Sequence, residues 1–588
     1  MKYLLFFSLF PFFAGAQSRF PYNGGFEQTR SAAFWDWTYA NDPLAYAFSQ
    51  EHEQVHSGKH ALKIEGKNAP GVNAGAGKFW IQLPAEWLRA RSRLTLRGWI
   101  YSGPNTRAGI WFSQLPALRT QEMLSDTQKI AHTWEELILE IPVVPGSNGL
   151  LLGGFLTGPG IAVFDDFRIY SEGELVVDAS RGFPEATASE ISWLNRVAVP
   201  LASLEDEDKK SDLDLLSKWV SDKRIVGLGT PTKGTSEAFR LYLRLLKHLA
   251  GQGFRTLALD ENVAAVGKLN EYVMGGPGDG REILKNGFLP SWQNEELLQL
   301  VEWTRLYNAT QRYKIRFVGL DMLSVRESFD ELLEFARRHD PALDDTLRSF
   351  RTGELAELLE NSVIDYTNTL PGKKQLYVES LRPIASLIEK HIADNLPVYY
   401  ISIPRDTVNW IRMNASAIAQ NLLLMERGIP KLRDSCLAEN LLAYAGQAAE
   451  PKIILLTHNG HVAKARGFLG GWLHEKLDSE YFAIAFTTAS GSYHGNLSRT
   501  TWASHELSKP YPGALEYYLQ AAAPRSFLLD LGRVNCAEPD AAWICRRLDY
   551  RGIGFGHAGE QFWFNAWSPS TYNALIFVSR TSAVRPLQ

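Results

Sequence analysis

Two histidines stand three positions apart directly after a short apolar segment. Residues 453–456 are Ile, Ile, Leu and Leu, and the polar sequence Thr-His-Asn-Gly-His follows at residues 457–461. A short apolar run of this kind is typical of a strand buried on both faces of a parallel sheet. Ligands of open α/β sheets bind beyond the carboxyl ends of the strands, so His458 and His461 are candidate site residues. Either histidine could instead be a hydrogen-bonded residue of the turn, and that alternative stays open.

Other predicted strands also end in side chains that can carry chemistry. One apolar segment ends at Thr230, another at Asp260 and Glu261, and a third at Asp321. The carboxyl ends of parallel strands lie along one edge of a sheet, so these side chains are expected near the two histidines. In chain order, the predicted strands are residues 224–229, 255–259, 315–320, 398–403, 453–456, 481–486 and 574–578.

The elements that must position these residues alternate between helix and strand over residues 189–588. Helical segments that alternate with apolar strands predict βα units, and therefore a mixed, largely parallel sheet with helices on both faces. Residues 324–394 are highly charged and lack a strand signal, so they predict a helical insertion. The second part of the chain is therefore expected to be an α/β domain.

Residues 17–172 follow a different pattern, in which short β-type segments are separated by Gly, Pro, Asn and Ser. This pattern predicts an all-β, jelly-roll-like sandwich, joined to the α/β domain by a polar linker at residues 173–188. Its opening and closing segments resemble those of carbohydrate-binding modules, which implies that the sandwich could bind a glycan. Four tryptophans could either stack on sugar rings or fill the sandwich core: Trp35, Trp37, Trp80 and Trp111.

The composition and the first residues limit the class of protein. At 588 residues the chain is long enough for two or three domains, and its net charge of -4 gives no reason to expect nucleic acid as a partner. Residues 1–16 combine Lys2, an apolar stretch and a small-residue cleavage site, which is typical of a secretory signal peptide. Export to the periplasm or the extracellular space is therefore expected. No segment is long enough to predict an integral membrane helix.

The three cysteines leave one thiol without a partner if a disulfide forms. Cys536 and Cys545 are close enough in sequence to pair in an oxidising compartment, although the sequence does not supply the geometry that decides it. Cys436 lies in a helical pattern and is predicted to be a small core residue.

Several ordered motifs within residues 191–579 resemble those of the erythromycin esterase family. They are Gly-Leu-Gly-Thr-Pro-Thr-Lys-Gly-Thr at 227–235, Gly-Phe-Arg-Thr-Leu-Ala-Leu-Asp at 253–260, Arg-Phe-Val-Gly-Leu-Asp-Met at 316–322, Arg-Asp-Ser-Cys-Leu-Ala-Glu-Asn at 433–440, Thr-His-Asn-Gly-His at 457–461 and Pro-Gly-Ala-Leu-Glu at 512–516. The resemblance implies metal-independent hydrolysis of esters, including macrolide lactones, without a cofactor. It also implies a mixed α/β sheet with a helical insertion.

The motif at residues 227–235 departs from the usual family sequence, Gly-Glu-x-Thr-His-Gly. Thr230 stands at the position of the glutamate, and Lys233 stands at the position of the histidine that is proposed to activate water. A lysine is a poor base at its reference pKa of about 10.4 unless its surroundings lower that pKa. A neighbouring carboxylate would keep the lysine cationic, and His458 or His461 would then have to serve as the base.

Two hypotheses follow for the function. The first is an exported hydrolase that acts on a small-molecule ester or lactone through activated water, with neither metal nor cofactor. The second is a catalytically disabled relative that binds a ligand or glycan in the same cleft. The candidate catalytic residues are His458, His461, Lys233, Asp260 and Glu261. The candidate substrate-binding residues are Thr230, Thr232, Arg433, Asp434 and Asp321.

Overall fold

The chain divides into two compact units. The first comprises Met1–Pro184 and Leu497–Thr501, and the second comprises Glu185–Asn496 and Trp502–Gln588. The computed structural model describes residues 19–20, 22–30, 33–34, 36–40, 45–67, 76–88, 91–104, 106–115, 121–124, 130–145, 147, 149–178, 185–204, 210–350, 354–368, 370–428, 430–446, 452–496, 502–546, 548–553, 563–565 and 567–587. The predicted signal peptide at residues 1–16 lies outside these ranges. Within them, no helix is both long enough and apolar enough to cross a membrane.

Two antiparallel sheets form the first unit and enclose its apolar core. In spatial order, the five-stranded sheet has strands Gln121–Leu124, Arg107–Leu115, Gly149–Thr157, Gly77–Pro84 and Thr38–Ala40. The six-stranded sheet has strands Glu135–Pro142, Arg93–Ser102, Gly160–Ser171, Ala61–Gly66 and Tyr46–Glu51, and Glu174–Leu175 pairs with Gly160–Ser171. Shorter elements are Arg19–Phe20, Thr29–Arg30, Ala33–Phe34, Val177–Asp178 and the helix Ala85–Leu88. The predicted β-sandwich is confirmed.

Two of the tryptophans considered for sugar stacking belong to the core of the sandwich. Trp37 and Trp111 are only 1% and 4% exposed. Each indole N–H donates to a backbone carbonyl, at 3.1 Å for Trp37 and 3.0 Å for Trp111. The hypothesis that these two residues stack on sugars is therefore wrong. Their rings are buried in the core, and each indole N–H already has a hydrogen-bond acceptor. Trp80 is half-buried, Trp35 lies outside the described residues, and glycan binding by this unit stays a prediction.

Part of the predicted linker at residues 173–188 belongs to sheets. Glu174–Leu175 pairs with the end of the strand Gly160–Ser171, and Val177–Asp178 pairs in parallel with Arg19–Phe20. Two-residue pairings are too short to show an alternation of apolar and polar residues, so the sequence pattern does not reveal them.

A nine-stranded mixed sheet lies at the centre of the second unit. In spatial order, its strands are Val199–Pro200, Ser526–Asp530, Ala574–Thr581, Tyr481–Asn496, Ile225–Leu228, Lys452–Leu456, Phe254–Asn262 and Arg316–Asp321, and Trp502–Glu506 pairs with Tyr481–Asn496. The six strands from Ala574–Thr581 to Arg316–Asp321 are parallel to one another, and the other three pairings are antiparallel. All residues of the inner strand Ile225–Leu228 are buried, as expected for a parallel sheet. The predicted α/β fold class is confirmed.

Helices connect and cover these strands. Those outside the insertion are Ala188–Val197, Asp214–Val220, Ser236–Ala250, Val263–Val273, Gly280–Gly287, Glu295–Thr310, Asn459–Val462, Leu469–Leu477 and Leu515–Leu519. Those of the insertion are Arg326–His339, Pro341–Phe350, Glu354–Leu359, Val363–Asn368, Lys374–Ser402, Arg405–Arg427 and Pro430–Ala445. Single 3₁₀ turns are Lys210–Leu213, Pro290–Trp292, Pro371–Lys373, Asp478–Glu480, Leu531–Arg533, Ala542–Cys545 and Pro569–Thr571, and Asp549–Arg551 pairs with Trp563–Asn565.

The helical insertion is longer than predicted. It was expected at residues 324–394, but helices continue from Arg326–His339 to Pro430–Ala445 before the next strand of the sheet begins. The prediction ended too early because it placed a strand at residues 398–403.

The strand predicted at residues 398–403 is wrong, because those residues lie at the end of the helix Lys374–Ser402. A short apolar run does not distinguish a strand from a buried helix by its periodicity. The tertiary contacts favour the helix here: the ring of Tyr399 packs edge-on against Phe335 with centroids 5.3 Å apart. Ile401 is 88% exposed, which a strand buried within the sheet would not allow.

The strand predicted at residues 481–486 continues to Asn496. Its second half pairs with Trp502–Glu506 and alternates between buried and half-buried residues. The first half is buried on both faces and the second half on one face only. The apolar run that predicts the strand therefore covers only its first half.

The disulfide that the sequence left open is present, with the Cα atoms of Cys536 and Cys545 at 5.8 Å. Cys436 is buried and unpaired in the helix Pro430–Ala445, in agreement with the predicted core position.

Candidate active site

A tight loop after the strand Ile225–Leu228 forms one side of the candidate site. The Thr230 hydroxyl donates to the carbonyl of Thr232 at 2.6 Å, and the Thr232 hydroxyl accepts the backbone N–H of Gly234 at 3.1 Å. Both threonines are buried, so their hydroxyls stabilise the loop. Substrate binding by Thr230 and Thr232 stays a prediction.

Gly234 holds this loop against the strand Tyr481–Asn496. A Cβ at Gly234 would lie 1.9 Å from the carbonyl oxygen of His494, so the close approach of the two backbones requires glycine. The backbone N–H of His494 donates to the carbonyl of Gly234 at 2.8 Å. These contacts fix the backbone that carries Lys233.

Lys233 and Asp260 form a buried ion pair. The Lys233 Nζ lies 2.7 Å from Asp260 Oδ1, and the two side chains are 7% and 3% exposed. The same ammonium lies 4.2 Å from the ring centroid of Trp292, a cation–π geometry. The Thr457 hydroxyl donates to the second carboxylate oxygen of Asp260 at 2.6 Å. Burial raises the pKa of Asp260, but nearby positive charge, chiefly that of Lys233, outweighs burial and keeps this pKa below its ordinary value.

Asp260 and Glu261 lie at an irregularity near the end of the strand Phe254–Asn262. The pairing of this strand with Arg316–Asp321 shifts its register between Leu259 and Asn262. Bulges of this kind redirect side chains and are common beside active sites. The irregularity therefore explains how two consecutive carboxylates can both be buried while contacting different partners.

Glu261 is buried, and both of its oxygens accept backbone N–H groups. Oε1 accepts the N–H of Asn262 at 2.8 Å, and Oε2 accepts the N–H of Leu289 at 3.0 Å. Burial raises the pKa of Glu261 to about 7, although these two hydrogen bonds act in the opposite direction. Glu261 thus anchors the segment that leads to Trp292, and a catalytic role for it stays a prediction.

A second buried ion pair joins Arg433 to Asp321. The Nη2 and Nε atoms of Arg433 lie 2.5 Å and 3.2 Å from Asp321 Oδ2. Asp321 ends its strand, and its Oδ1 accepts the backbone N–H of Met322 at 2.7 Å. Burial lowers the pKa of Arg433, but the Asp321 charge outweighs burial and keeps this pKa above its ordinary value. The guanidinium is therefore a cation with a fixed orientation.

His461 lies between Asp434 and Arg433. Its Nδ1 lies 2.8 Å from Asp434 Oδ1, and the side chains of His461 and Asp434 are 25% and 4% exposed. Asp434 Oδ2 in turn accepts the backbone N–H of Leu469 at 3.1 Å. On the other side of the ring, Nε2 lies 3.5 Å from Arg433 Nη1. Because a guanidinium can only donate, Nε2 is the unprotonated nitrogen and Nδ1 carries the proton. In the described part of the chain neither Nδ1 nor Asp434 Oδ1 has a hydrogen-bond partner, so the 2.8 Å approach is a close polar contact rather than a hydrogen bond.

Both ring nitrogens of His458, a predicted catalytic residue, bond to the backbone. Its Nε2–H donates to the carbonyl of Pro231 at 3.0 Å, and its Nδ1 accepts the backbone N–H of Gly460 at 3.2 Å. The second bond caps the short helix Asn459–Val462. Burial lowers the pKa of His458 to about 4, so the ring is neutral near pH 7. Both ring nitrogens contact the backbone, and neither is placed to act as a base.

Asn459 positions the histidine motif and was not among the predicted residues. Its side chain donates to the carbonyl of Phe486 at 2.8 Å and accepts the Phe486 N–H at 3.1 Å. A Cβ at Gly229 would lie 2.4 Å from Asn459 Oδ1, so glycine leaves the space that this side chain fills. Two features of the sequence could have indicated this role: Asn459 is a polar residue between the two histidines, and Gly229 ends a neighbouring predicted strand.

Thr457 and Trp292 were also missed. Thr457 directly follows a predicted strand, so its position at the sheet edge could have been found from the sequence. Trp292 lies far from Lys233 in sequence, and only the fold brings its ring to the ammonium.

The structure brings the predicted charged residues to one edge of the sheet. His461 and Arg433 act on Asp260 in the same direction as Lys233 and lower its pKa, which places all of them within electrostatic reach. Across the described ranges, no group of three or more His, Cys, Asp or Glu side chains is arranged to hold a metal ion.

Comparison with known proteins identifies the family of this chain. The erythromycin esterase family model matches residues 249–581, which is more than half of the chain. The chain belongs to the erythromycin esterase family. This match includes Asp260, Arg433, Asp434 and His461, and it begins after the loop that carries Lys233.

Two relatives and one solved structure agree with this assignment. Erythromycin esterase type II of Escherichia coli is 25% identical over 333 residues, which cover 51% of this chain and 77% of the relative. YbfO of Bacillus subtilis, which carries the name of a hydrolase, is 23% identical over 381 residues, or 58% of this chain and 80% of the relative. A mutant of the erythromycin esterase EreC in its open conformation has a TM-score of 0.51 at 16% identity, over 65% of this chain and 98% of that one. At this identity, the structure shows a shared fold. Together with the family match, these names support an esterase-like hydrolase.

Proposed function

We propose that this protein hydrolyses an ester or a lactone with water that His461 activates. The observation that carries the proposal is the geometry around this imidazole. Asp434 holds Nδ1 at 2.8 Å, while Nε2 faces Arg433 Nη1 at 3.5 Å. A general base needs an oriented ring whose lone pair water can reach, here in place of the long contact with Arg433, and a carbonyl substrate needs a fixed positive charge near the reacting oxygen. Both requirements meet at one point here.

The proposed reaction uses His461 first as a base and then as an acid. Nε2 takes a proton from water as the water oxygen bonds to the carbonyl carbon. The carbonyl electron pair moves onto its oxygen, and the resulting oxyanion is stabilised by the guanidinium of Arg433. When the carbonyl re-forms, the bond to the alcohol oxygen breaks, and the imidazolium gives its proton to that oxygen. The products are an acid and an alcohol, or one hydroxy acid from a lactone.

In this proposal, Lys233 is an electrostatic group rather than the base. Its ammonium is paired with Asp260 at 2.7 Å in a buried position, and such a pair stabilises the charged form of both partners. The divergent loop at Thr230 and Lys233 is therefore compatible with hydrolysis, because the base role passes to His461. Asp321 orients Arg433 from the other side.

Two aromatic side chains next to this centre support an apolar group in the substrate. Phe468 directly precedes Leu469, whose N–H bonds to Asp434, and Trp472 lies one helical turn further along. They are 43% and 36% exposed, which is high for large apolar residues. We propose that they contact the apolar part of the ester.

The test is turnover of a panel of aryl esters, alkyl esters and macrolide lactones by the full-length protein. His461→Ala is expected to lower kcat/KM by about a thousandfold, as loss of a general base does. The matched control is His458→Asn, which keeps a side-chain acceptor for the N–H of Gly460 and should retain activity within about tenfold. Failure of the wild type on the whole panel, or equal activity of His461→Ala, would overturn the proposal.

A second candidate function is binding of a ligand without turnover. The Lys233–Asp260 ion pair supports it, since Lys233 stands at the position of the usual family histidine and its ammonium is paired. The double change Thr230→Glu with Lys233→His should create or raise esterase activity if only the base has been lost. If the wild type already hydrolyses esters and the double variant is slower, this second candidate is rejected.

We also propose that the protein is exported. Residues 1–16 support export by their charge and apolar pattern, and the Cys536–Cys545 disulfide suits an oxidising compartment. Sequencing of the mature N-terminus from whole cells should place it near Gln17. A mature protein that still begins at Met1 would reject the proposal.

A further inference from the structure

A groove of about 680 Å³ lies at the opposite edge of the sheet from the candidate active site. It is at the amino ends of three adjacent parallel strands, which begin at Phe254, Arg316 and Lys452. This volume is within the range of small-molecule binding sites. None of the proposed catalytic residues lines the groove, so it is a separate cavity.

The strand ends bring positive charge to one wall of the groove. Arg255, Arg316 and Lys452 lie at the starts of the three strands, and Lys314 lies just before one of them. Arg316 pairs with Asp406 at 3.2 Å, an ion pair that is open to solvent. These cations are largely half-buried, which reduces screening by salt.

Three of these cations contact neutral groups. Lys452 Nζ donates to the carbonyl of Ser221 at 2.6 Å, and Lys314 Nζ donates to a backbone carbonyl. The Arg255 guanidinium lies 3.9 Å from the ring centroid of Tyr313, and its Nη1 is buried without a hydrogen-bond partner in the described part of the chain.

The acidic residues of the groove lie on its helical wall. Glu334 is engaged by Arg337 and Arg338 at 2.6 Å and 2.5 Å. Glu331 accepts the indole N–H of Trp410 at 3.4 Å, and burial raises the pKa of Glu331 toward the neutral form. Glu271 remains on this wall as an exposed carboxylate. Asp406 also lines the groove and pairs with Arg316, whereas Arg255, Lys314 and Lys452 form no ion pair with the groove's acids in the described part of the chain.

Aromatic side chains complete the groove. Trp410, Phe335 and Tyr444 are part of its lining. A Cβ at Gly267 would lie 2.1 Å from the Trp410 ring, so this glycine is what allows the indole to pack against its helix. The groove thus combines aromatic surface on one side with unneutralised positive charge on the other.

We propose that this groove binds an organic anion that carries an aromatic ring. The anionic group would lie at the strand ends, beside the side chains of Arg255, Lys314 and Lys452, and the ring would lie against Trp410. This site is independent of the ester chemistry proposed above, and its occupant is a ligand rather than the reacting substrate.

The test uses calorimetric titration of the full-length protein with 2-naphthoate, and with the neutral 2-naphthylmethanol for comparison. The expected result is that 2-naphthoate binds the wild type and that Arg255→Gln weakens it about tenfold, the effect of losing one charge-assisted hydrogen bond. Arg533→Gln is the matched control, because it removes the same charge from a residue that is 82% exposed and that, like its partner Asp530, lies outside the groove lining. It should leave the affinity unchanged.

A second measurement separates this groove from the active site. Ester turnover should be unaffected by Arg255→Gln, and 2-naphthoate should bind His461→Ala as tightly as the wild type. The proposal is overturned if no binding is seen at millimolar concentration, if 2-naphthylmethanol binds as tightly, or if Arg255→Gln and Arg533→Gln behave alike. It is also overturned if 2-naphthoate only competes with the ester substrate.

Discussion

The two halves of the candidate site differ in how their charges are used. The lysine half consists of Lys233, Asp260 and Thr457. The histidine half consists of His461, Asp434, Arg433 and Asp321. In the lysine half, the ammonium and carboxylate bond to each other, and neither side chain is more than 7% exposed. In the histidine half, the imidazole is 25% exposed and only one of its nitrogens contacts a carboxylate.

This difference shows where a reaction with water can occur. A buried pair whose partners satisfy each other contributes mainly to position, and the desolvation of its charges offsets much of their attraction. An oriented imidazole that solvent can reach is able to exchange protons with water. The histidine half is therefore the reacting half in our proposal, and the lysine half supports it.

The strongest test of this difference removes one partner of the Lys233–Asp260 ion pair. Lys233→Met should lower the free energy of unfolding by about 3–5 kcal/mol, because Asp260 is left as an unpaired buried charge. The double change Lys233→Met with Asp260→Asn should recover most of that loss, since no charge is then left buried. Urea unfolding of the wild type, both single variants and the double variant measures the effect as a mutant cycle.

The control for this cycle is the exposed pair of Lys390 and Asp394, whose side chains are 79% and 59% exposed. Lys390→Met should change the free energy of unfolding by less than about 1 kcal/mol. If the double variant at Lys233 and Asp260 regains stability and also keeps ester turnover within about tenfold, the lysine half is a scaffold. If its turnover disappears while its stability returns, the lysine half takes part in the chemistry and the comparison fails.

Much of the fold could be predicted because its signals are local. The apolar runs at residues 225–228 and 453–456 are short and uninterrupted, as parallel strands are. The segment at residues 398–403 looked the same but is helical, because the packing of Tyr399 against another helix decides its structure. Packing between distant elements is the information that a local pattern lacks.

The candidate site could be located from the sequence more easily than its roles could be assigned. Polar residues at strand ends predict the edge of the sheet, and the structure places Asp260, Asp321 and His461 there. The pattern does not say which histidine bonds to the backbone. Only the structure shows that Pro231 and Gly460 occupy both nitrogens of His458.

A pH experiment tests Glu261, which anchors the segment leading to Trp292 beside the lysine half. The pKa of Glu261 is raised from 4.5 to about 7, so the folded state binds its proton more tightly than the unfolded chain does. The resulting stabilisation is complete below about pH 4.5 and is lost as the pH rises through about 7. Across this window the wild type should lose on the order of 3 kcal/mol relative to Glu261→Gln, which cannot ionise.

Thermal or urea unfolding at several pH values measures this difference. Glu360→Gln is the control, because the Glu360 side chain is 50% exposed, and its stability curve should run parallel to that of the wild type. A Glu261→Gln curve that also runs parallel to the wild type would mean that Glu261 is not the group that titrates.

The histidine half can be tested through its cation. In Arg433→Lys, one ammonium cannot both hold Asp321 and lie beside His461 Nε2, as the planar guanidinium does. Ester turnover should fall about a hundredfold, the effect of losing one electrostatic donor to the oxyanion. Arg382→Lys is the matched control, since Arg382 also bonds a carboxylate through two nitrogens but its side chain is 57% exposed. If the two variants lose ester turnover equally, Arg433 does not stabilise the oxyanion.

The smallest expected effect concerns the surface beside the histidine half. Phe468→Ser should lower kcat/KM for naphthyl esters by about tenfold, because one aromatic contact with the substrate is lost, and should leave small acetate esters unchanged. The control is Leu306→Ser, which removes another exposed apolar side chain, 70% exposed, from a helix outside the site. A change in selectivity for Phe468→Ser alone would extend the histidine half to the substrate's apolar group. If both variants have the same kcat/KM as the wild type for naphthyl and acetate esters, Phe468 does not contact the substrate. The histidine half then includes no aromatic contact from Phe468.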